Sequence, residues 1–201
     1  NQTMPTIQHL PLRDFGYALF EAAGTPADQA RIATDHLVES NLMGHDSHGV
    51  GMVPRYVNSL LGGELNLNTQ VQWAVDSGSI MVADGGLGLG QSVAPQAMSR
   101  AIERATETGI CLLGLRNAHH IGRVGHWAEM AVERNLVSIH FTNAMASKPG
   151  VAPFGGIDAR FITNPFTVGI PHAGGQPIVL DFATSAIAAG KVRVAYNKGV
   201  A

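Results

Sequence analysis

The spacing of apolar residues over the first 62 positions predicts three consecutive helices. In the first, PLRDFGYALFEAAG, the positions that share one helical face are Leu12, Phe15, Leu19 and Ala22. The second, TPADQARIATDHLVESNLMG, has Thr25 as its predicted N-cap, a buried stripe that includes Ile32 and His36, and Gly44 as its stop. Gly62 ends the third helix, whose apolar side carries Val50, Val53, Val57 and Leu60.

From residue 70 the pattern changes to short apolar runs that alternate with amphipathic segments, which is typical of strands and helices in alternation. VQWAVD and SIMVADG predict a hairpin, while SVAPQAMSRAIERATETG and RVGHWAEMAVERN predict helices. Further strands are predicted in ICLLGLR, LVSIHFTN, FTVGIP and PIVLDFAT, and no helix is predicted after them. We therefore expect an α/β (α+β) chain, with a helical domain at residues 1–68 and an α/β domain with a mixed sheet at residues 69–201.

The composition narrows the class of protein. With 201 residues, of which 45% are hydrophobic and 14% charged, the chain is too apolar and too weakly charged to be disordered. The formal net charge of −2 provides no basic surface for nucleic acid. No apolar run reaches the roughly 18 residues of a membrane span, and the first residues lack the regions of a signal peptide. We therefore expect a cytoplasmic protein that binds neither nucleic acid nor a membrane.

Candidate chemistry is concentrated in two histidine clusters, GHDSHGVGMVPRYV at 44–57 and RNAHHIGRVGHW at 116–127. Histidine exchanges a proton near neutral pH, and a neighbouring aspartate could orient the ring. If a helix starts near Ser47, His48 and Arg55 lie nearly on one face, with roughly 10 Å between them along the axis. That span suits a small acid whose carboxylate pairs with the guanidinium while its reacting oxygen meets the imidazole.

A metal site is the alternative interpretation of the same histidines. His45 and His48 have the i, i+3 spacing of metal ligands on a helix, and Asp46, His119 and His120 could add further ligands. The sequence contains no HExxH or cysteine-based pattern, since its one cysteine is Cys111. A metal-dependent hydrolase using His45, His48 and His120 stays open, as does an inactive fragment that serves only in dimerisation or binding.

The glycine-rich segment VADGGLGLGQ at 82–91 lies between a predicted strand and a predicted helix. Gly86, Gly88 and Gly90 form GxGxG, whereas the dinucleotide fingerprint is GxGxxG, and Gln91 stands where the third glycine would be. The segment therefore predicts a tight turn that lets helix and sheet approach closely, and not a Rossmann phosphate loop.

The strand PIVLDF carries Asp181 in otherwise apolar surroundings. An unpaired carboxylate is costly to bury. Asp181 is therefore expected at a strand end, in a hydrogen-bonded pair, or in contact with a ligand.

Five motifs in one order resemble the type-2 malate/L-lactate dehydrogenase family, and most closely its hydroxycarboxylate dehydrogenase branch. They are GHDSHGVGMVPRYV, ADGGLGLGQ, LRNAHHIGRVGHWAEMA, RFITNPFTVGIP and VLDFATSAIAAGKVRVA. The resemblance implies an NAD-dependent or NADP-dependent homodimer that interconverts a 2-hydroxy acid and its 2-keto acid. It also implies a non-Rossmann nucleotide-binding fold with a helical N-terminal part and a largely antiparallel sheet domain.

The resemblance also assigns individual residues. His48 matches a motif histidine at the nicotinamide and substrate, and His120 matches the histidine that exchanges the proton in a ureidoglycolate-oxidising relative. Arg55 is the candidate for the substrate carboxylate, although some relatives carry an arginine where this chain has Met52. The implied cofactor contacts besides His48 are Gly122, Arg123, Val124, Asn143, Ile178, Val179, Leu180, Asp181 and Phe182. Because members of the family are longer than this chain, we expect further cofactor contacts to lie outside it.

Overall fold

The computed structural model describes residues 6–144 and 149–199. In these ranges the helices and strands follow one another in the order α1 (His9–Ala22), α2 (Ala27–Leu42), α3 (Val53–Leu61), β1 (Gln72–Ser77), β2 (Ile80–Gly88), α4 (Gly90–Thr108), β3 (Leu112–Ala118), α5 (Val124–Val132), β4 (Ser138–Phe141), β5 (Phe166–Ile170), β6 (Ile178–Phe182) and α6 (Ala189–Asn197). Two 3-10 turns, Asp46–His48 and Val50–Met52, connect α2 to α3. The chain divides into two compact units, Thr3–Arg123 and Val124–Ala201.

The first unit is built around the packing of α1, α2 and α3, and the predicted apolar face of α1 is wrong. Phe15 is 62% exposed, whereas Gly16 and Phe20 are the buried residues of this helix. A Cβ at Gly16 would press against the side chain of Thr34, so the glycine is what allows α1 and α2 to approach. The contact therefore follows the i, i+4 pair of Gly16 and Phe20, which a search for large apolar residues overlooks.

Helix α2 ends before Gly44 as predicted. The predicted N-cap Thr25 is wrong, because Pro26 occupies the N-cap position, no side chain caps the helix, and α2 begins at Ala27. Its predicted stripe is partly wrong, because Ile32 is exposed while His36 is buried. The buried face is made mostly of small and polar residues, namely Gln29, Ala30, Ala33, Thr34, His36, Leu37, Val38 and Ser40. On α3 the predicted face is confirmed for Val53, which belongs to the core, and for Val57 and Leu60, which pack against it. Val50 also packs against the core, but it does so from the 3-10 turn before α3.

The sheet of the first unit has the order β1-β2-β3. Strands β1 and β2 form the predicted antiparallel hairpin, and β2 pairs with β3 in parallel. Helix α4 packs on this sheet, where Met81 and Ala83 are fully buried. The glycine-rich segment forms the close approach that was predicted, because a Cβ at Gly88 would press against Thr69 and Val93.

The second unit contains the antiparallel sheet β4-β5-β6, with α5 packed against all three strands. Gly169 makes this packing possible, since a Cβ there would press against Ala128 and Val132 of α5. Asp181 forms hydrogen bonds, which was one of the three environments predicted for it. Its Oδ2 accepts from the backbone N–H of Gly125 at 2.7 Å and its Oδ1 accepts from Thr167 at 2.7 Å.

The mixed α/β class is confirmed, and three of the four strand pairings in the described residues are antiparallel. The strands form two small sheets in place of one. The prediction that no helix follows the last strand is wrong, because α6 is present. Its apolar residues Val192 and Tyr196 have the i, i+4 spacing of a helix but are exposed. The boundary at residues 68/69 stays a prediction, and the division into compact units falls after Arg123.

None of the helices in the described ranges is both long enough and apolar enough to cross a membrane.

Candidate active site

The loop that carries His48 is clamped by Asn41, near the end of α2. Its Nδ2 donates to Asp46 at 2.8 Å, and its Oδ1 accepts from the backbone N–H of Val50 at 2.8 Å. The backbone of Gly49 is extended, but a Cβ there would overlap the Asn41 side chain. The loop therefore needs glycine at this position for space, and needs Gly44, at φ +77°, for its turn.

The loop that carries His120 follows β3 and is held by two contacts with the rest of the first unit. A Cβ at Gly90, the first residue of α4, would overlap the backbone carbonyl of His120. Gly122 has φ +75°, and a Cβ there would overlap the ring of His36. His36 also accepts a hydrogen bond from the backbone N–H of Arg123 at 2.9 Å. A histidine on the buried face of α2 thus fixes the backbone just after His120.

The two loops bring the rings of His48 and His120 together. Their centroids lie 5.5 Å apart with an angle of 14° between the planes, so the rings are stacked. The ring centroid of His45 lies 5.9 Å from that of His48. Tyr56, which is fully buried, contacts Nδ1 of His120 through its hydroxyl at 2.7 Å. Two histidines separated by 72 positions in the sequence therefore form one polar cluster in the first unit.

The environment of this cluster favours neutral imidazoles. Burial lowers the pKa of His120 well below its usual range, and the charges of His48, Arg55, His119 and His36 lower it further. Burial, followed by the charge of Arg55, also lowers the pKa of His119. At neutral pH, His120 is therefore uncharged and can take part in hydrogen bonding from either ring nitrogen.

Arg55 is exposed on α3, and its guanidinium charge reaches the buried cluster, as its effect on both histidines shows. An exposed cation beside neutral imidazoles is suited to an anionic substrate, whose carboxylate would offset that charge. The prediction that one helix starting near Ser47 carries both His48 and Arg55 is wrong, because His48 lies in a 3-10 turn, Gly49 is extended and α3 begins at Val53. Arg55 acts on the cluster through its charge, which lowers the pKa of His120.

The geometry does not favour the alternative metal site. In the part of the chain that the structure describes, His45, His48 and His120 do not bring three ring nitrogens within 4.8 Å of one another. The Nδ1 atom of His120 is already occupied by its hydrogen bond with Tyr56. A tetrahedral zinc ion needs ligand atoms at about 2 Å, so the three rings would have to move to hold one.

The remaining predicted cofactor residues lie in the second unit. Val124 is buried at the start of α5, and Asn143 is exposed just after β4. The five residues of β6 point to opposite faces of the sheet: Ile178, Leu180 and Phe182 are exposed, while Val179 and Asp181 are turned towards α5. Only the exposed three present side chains to a ligand, because the carboxylate of Asp181 holds the backbone of Gly125.

An aromatic row crosses the exposed face of the same sheet. Phe141, Phe166 and Phe182 are paired in register across β4, β5 and β6, with ring centroids 5.3 Å and 5.8 Å apart. Phe141 is 83% exposed. The rings are tilted against one another by 56° and 69°, so they offer both faces and edges to an aromatic ligand. This apolar row and the exposed carboxamide of Asn143, two residues after Phe141, are compatible with a ring that carries a carboxamide, as nicotinamide does.

Four residues that organise the cluster were not predicted as site residues. His36 was counted as part of a buried stripe, and Tyr56 was overlooked beside Arg55. The sequence did not indicate a role for Asn41, because its hydrogen bonds to Asp46 and Val50 depend on the conformation of the loop after α2. Gln91, the residue that breaks the GxGxxG fingerprint, donates to Tyr56 at 2.8 Å, so the departure from that pattern was itself a signal.

Comparison with known proteins decides the family. The family model for malate/L-lactate dehydrogenase matches residues 7–201. The chain belongs to the malate/L-lactate dehydrogenase family. It is 46% identical over 189 residues to hydroxycarboxylate dehydrogenase B of Escherichia coli (strain K12), covering 94% of this chain and 52% of that protein.

Two further members of the family are similar to this chain over nearly its whole length. L-lactate dehydrogenase of Cupriavidus necator is 43% identical over 188 residues, which is 93% of this chain and 54% of that protein. The solved structure of malate dehydrogenase from Pyrococcus horikoshii OT3 superimposes with a TM-score of 0.86 at 35% identity, over 96% of this chain and 54% of that one. The chain therefore spans about half the length of the relatives it matches.

Proposed function

We propose that the protein is a nicotinamide-dependent dehydrogenase that interconverts a 2-hydroxy acid of the malate or lactate type and its 2-keto acid. The observation that carries this proposal is the stacked pair of His48 and His120, 5.5 Å apart, together with the exposed cation Arg55, whose charge lowers the pKa of His120. An acid/base group and a carboxylate partner within one small region are what a 2-hydroxy acid requires. Membership in the family supports the same reaction class.

The residues of the chain divide the work of this reaction. In the oxidative direction, a histidine of the pair removes the proton of the substrate hydroxyl, and in the reductive direction it returns a proton to the carbonyl oxygen. Arg55 pairs with the substrate carboxylate and so orients the reacting carbon. The bound nicotinamide supplies the acceptor or donor of hydride, a chemistry that no side chain provides.

The exposed apolar row of Phe141, Phe166 and Phe182 and the carboxamide of Asn143 fit a nicotinamide cofactor, and Ile178 and Leu180 extend that surface. The cofactor is NAD in this proposal, with NADP as the alternative, and the protein acts as a cytoplasmic homodimer. The contacts proposed for Gly122, Arg123 and Val124 are those of the backbone, because these residues are buried. The contact proposed for Asp181 is indirect, through the helix end that it holds.

A kinetic assay of the protein at its natural length tests the proposal. Purified protein is mixed with NADH or NADPH and a panel of 2-keto acids, and loss of the ultraviolet absorbance of the reduced cofactor is followed with and without a chelator. We expect oxidation of one cofactor with one subset of acids, unchanged by the chelator. The panel thereby identifies the substrate class and the cofactor together.

The two alternatives give different results in the same experiment. A metal-dependent hydrolase would leave the reduced cofactor unchanged with every acid and would carry a stoichiometric metal ion. A protein that serves only in binding or dimerisation would neither oxidise nor bind the cofactor. Either result would overturn the dehydrogenase proposal.

A further inference from the structure

The hydroxyl of Tyr56 is buried among three polar groups of the first unit. Gln91 Nε2 donates to its oxygen at 2.8 Å. If Nδ1 of His120 is unprotonated, the hydroxyl hydrogen is donated to it over 2.7 Å. If Nδ1 carries a hydrogen, the hydroxyl accepts from it and can donate only to the backbone carbonyl of His120, 3.5 Å away, which is at the limit of hydrogen bonding. The arrangement in which Tyr56 donates to Nδ1 is therefore the more stable one.

A second donor reaches the same nitrogen. The backbone N–H of Gly122 points at Nδ1 of His120 from 3.3 Å, and a backbone N–H cannot reverse its role. A hydrogen on Nδ1 would face this N–H directly and would leave it unpaired in a buried position, at a cost comparable to a lost hydrogen bond. Both contacts therefore favour an unprotonated Nδ1, which places the ring hydrogen of neutral His120 on Nε2.

His48 has a different partner. Its Nδ1 lies 3.0 Å from the hydroxyl of Ser47. A serine hydroxyl can rotate and either donate or accept, so it tolerates both the neutral and the charged ring. The two rings of the stacked pair thus differ: the contacts of His120 favour one fixed form, and this contact of His48 permits a change of charge.

We propose, on the basis of the function proposed above, that Tyr56 and Gln91 are positioning residues that fix His120 as the neutral Nε2–H tautomer. His120 then donates a hydrogen bond to the substrate oxygen, and His48 exchanges the proton. In the oxidative direction the substrate O–H bond breaks and its proton goes to a ring nitrogen of His48. The C–H bond breaks at the same carbon, and its electron pair leaves with the hydrogen as hydride to the nicotinamide, so that a C=O bond forms. Reduction reverses each transfer.

The assignment follows from the position of the hydrogen on His120. A ring that presents Nε2–H to the substrate has no lone pair on that nitrogen to accept the hydroxyl proton. Release of the Nε2 proton would leave an imidazolate, and a proton delivered from Tyr56 in compensation would leave a buried phenolate. Burial raises the pKa of Tyr56 above its usual range, which opposes that step.

Nitrogen NMR of the protein at its natural length, with ¹⁵N-labelled histidine, tests the tautomer directly, because the chemical shift separates a protonated from an unprotonated ring nitrogen. The signals of His120 are assigned by their loss in His120→Gln. We expect an unprotonated Nδ1 and a protonated Nε2 in the wild type at neutral pH. In Tyr56→Phe, which keeps the ring that packs against Phe20, the preference should weaken to a mixture of tautomers.

The matched control is Tyr17→Phe, which removes another tyrosine hydroxyl of the same unit, bonded to Asp35. It should leave the signals of His120 unchanged. A protonated Nδ1 in the wild type would overturn the proposal; in that case the amide of Gln91 would be turned so that Oε1, which has no partner within the described residues, accepts from Tyr56. An unchanged tautomer in Tyr56→Phe would overturn the role of Tyr56.

A kinetic readout separates this inference from the proposed function. In the nicotinamide assay, Tyr56→Phe should lower kcat about fivefold, the effect of one neutral hydrogen bond, with an unchanged KM and an unchanged pH midpoint, since His48 exchanges the proton. A shifted pH midpoint would contradict the division of roles. If the protein oxidises no cofactor while the NMR result is as expected, the proposed function fails and the tautomer assignment stands.

Discussion

His48 and His120 are the same residue type, and their surroundings give them different chemistry. Two hydrogen-bond donors point at one ring nitrogen of His120, whereas His48 meets a serine hydroxyl. The sequence motifs predicted both histidines and Arg55 as site residues. They could not predict Tyr56 and Gln91, because these residues act through tertiary hydrogen bonds. Gln91 on α4 donates to Tyr56 on α3, and Tyr56 contacts His120, which lies 64 positions later in the sequence.

The lowered pKa of His120 makes the stability of the protein dependent on pH. In the unfolded chain the ring gains a proton below its ordinary pKa of about 6.5, but in the folded protein it stays neutral to lower pH. Its contribution to stability is therefore complete above about pH 6.5 and is lost as the pH falls below that value. We expect the urea midpoint to fall between pH 7.5 and pH 5, and to fall less steeply in His120→Gln.

The control for this prediction is His172→Gln, which changes an exposed histidine in a turn of the second unit. It should keep the pH dependence of the wild type. Equal slopes for wild type and His120→Gln would show that His120 is not the source of the acid sensitivity.

At the scale of elements, the start of α5 depends on a side chain from another part of its unit. Asp181 on β6 accepts hydrogen bonds from Gly125 and from the buried Thr167. Asp181→Ala should lower the free energy of unfolding by about 2 kcal/mol, because it removes two hydrogen bonds to a charged group and leaves the threonine hydroxyl unpaired. Urea denaturation followed by circular dichroism measures the loss.

Asp158→Ala is the control for that variant, because it removes a carboxylate from an exposed ion pair with Arg160. Its cost should stay below about 1 kcal/mol. If the two variants were equally stable, the carboxylate of Asp181 would not hold the start of α5.

The loop after His120 gives a second prediction at this scale. Gly122→Ala forces a residue with a side chain into φ +75° and pushes its methyl group into the ring of His36. The expected cost is about 3 kcal/mol, the sum of left-handed strain and overpacking. The same change should lower kcat, because the backbone that carries His120 has to move.

Gly44→Ala separates strain from crowding. Gly44 has φ +77°, but a Cβ there meets nothing within 4 Å. This variant should therefore cost only about 1–2 kcal/mol. A cost for Gly122→Ala no larger than that would mean that His36 gives way without disturbing the loop.

The elements also show which sequence signals were reliable. Long runs with turn residues at their ends gave β1, β2, α4, α5 and the strands of the second sheet close to their observed bounds. The apolar face of α1 was wrong because the helix packs through Gly16, and large side chains such as Phe15 stay exposed. Periodicity of large apolar residues fails where close backbone approach decides the packing.

At the scale of the whole molecule, the mixed α/β class and the family could be predicted from the sequence, because five separate motifs had to occur in one order. The sequence could not predict which strands share a sheet, because strand pairing depends on contacts between residues that are distant in sequence. The part of the family's length that this chain spans contains the stacked pair of His48 and His120.

The decisive measurement is the kcat of His48→Ala and His120→Ala in the nicotinamide assay, beside His172→Ala as an exposed control. His48→Ala should lose general acid–base help, which lowers a rate by about two to four orders of magnitude. His120→Ala should lose a hydrogen-bond donor to the substrate oxygen, which costs about two to three orders of magnitude, and the control should keep wild-type turnover. Near-wild-type turnover in both variants of the pair would contradict the claim that His48 exchanges the proton and His120 binds the substrate oxygen.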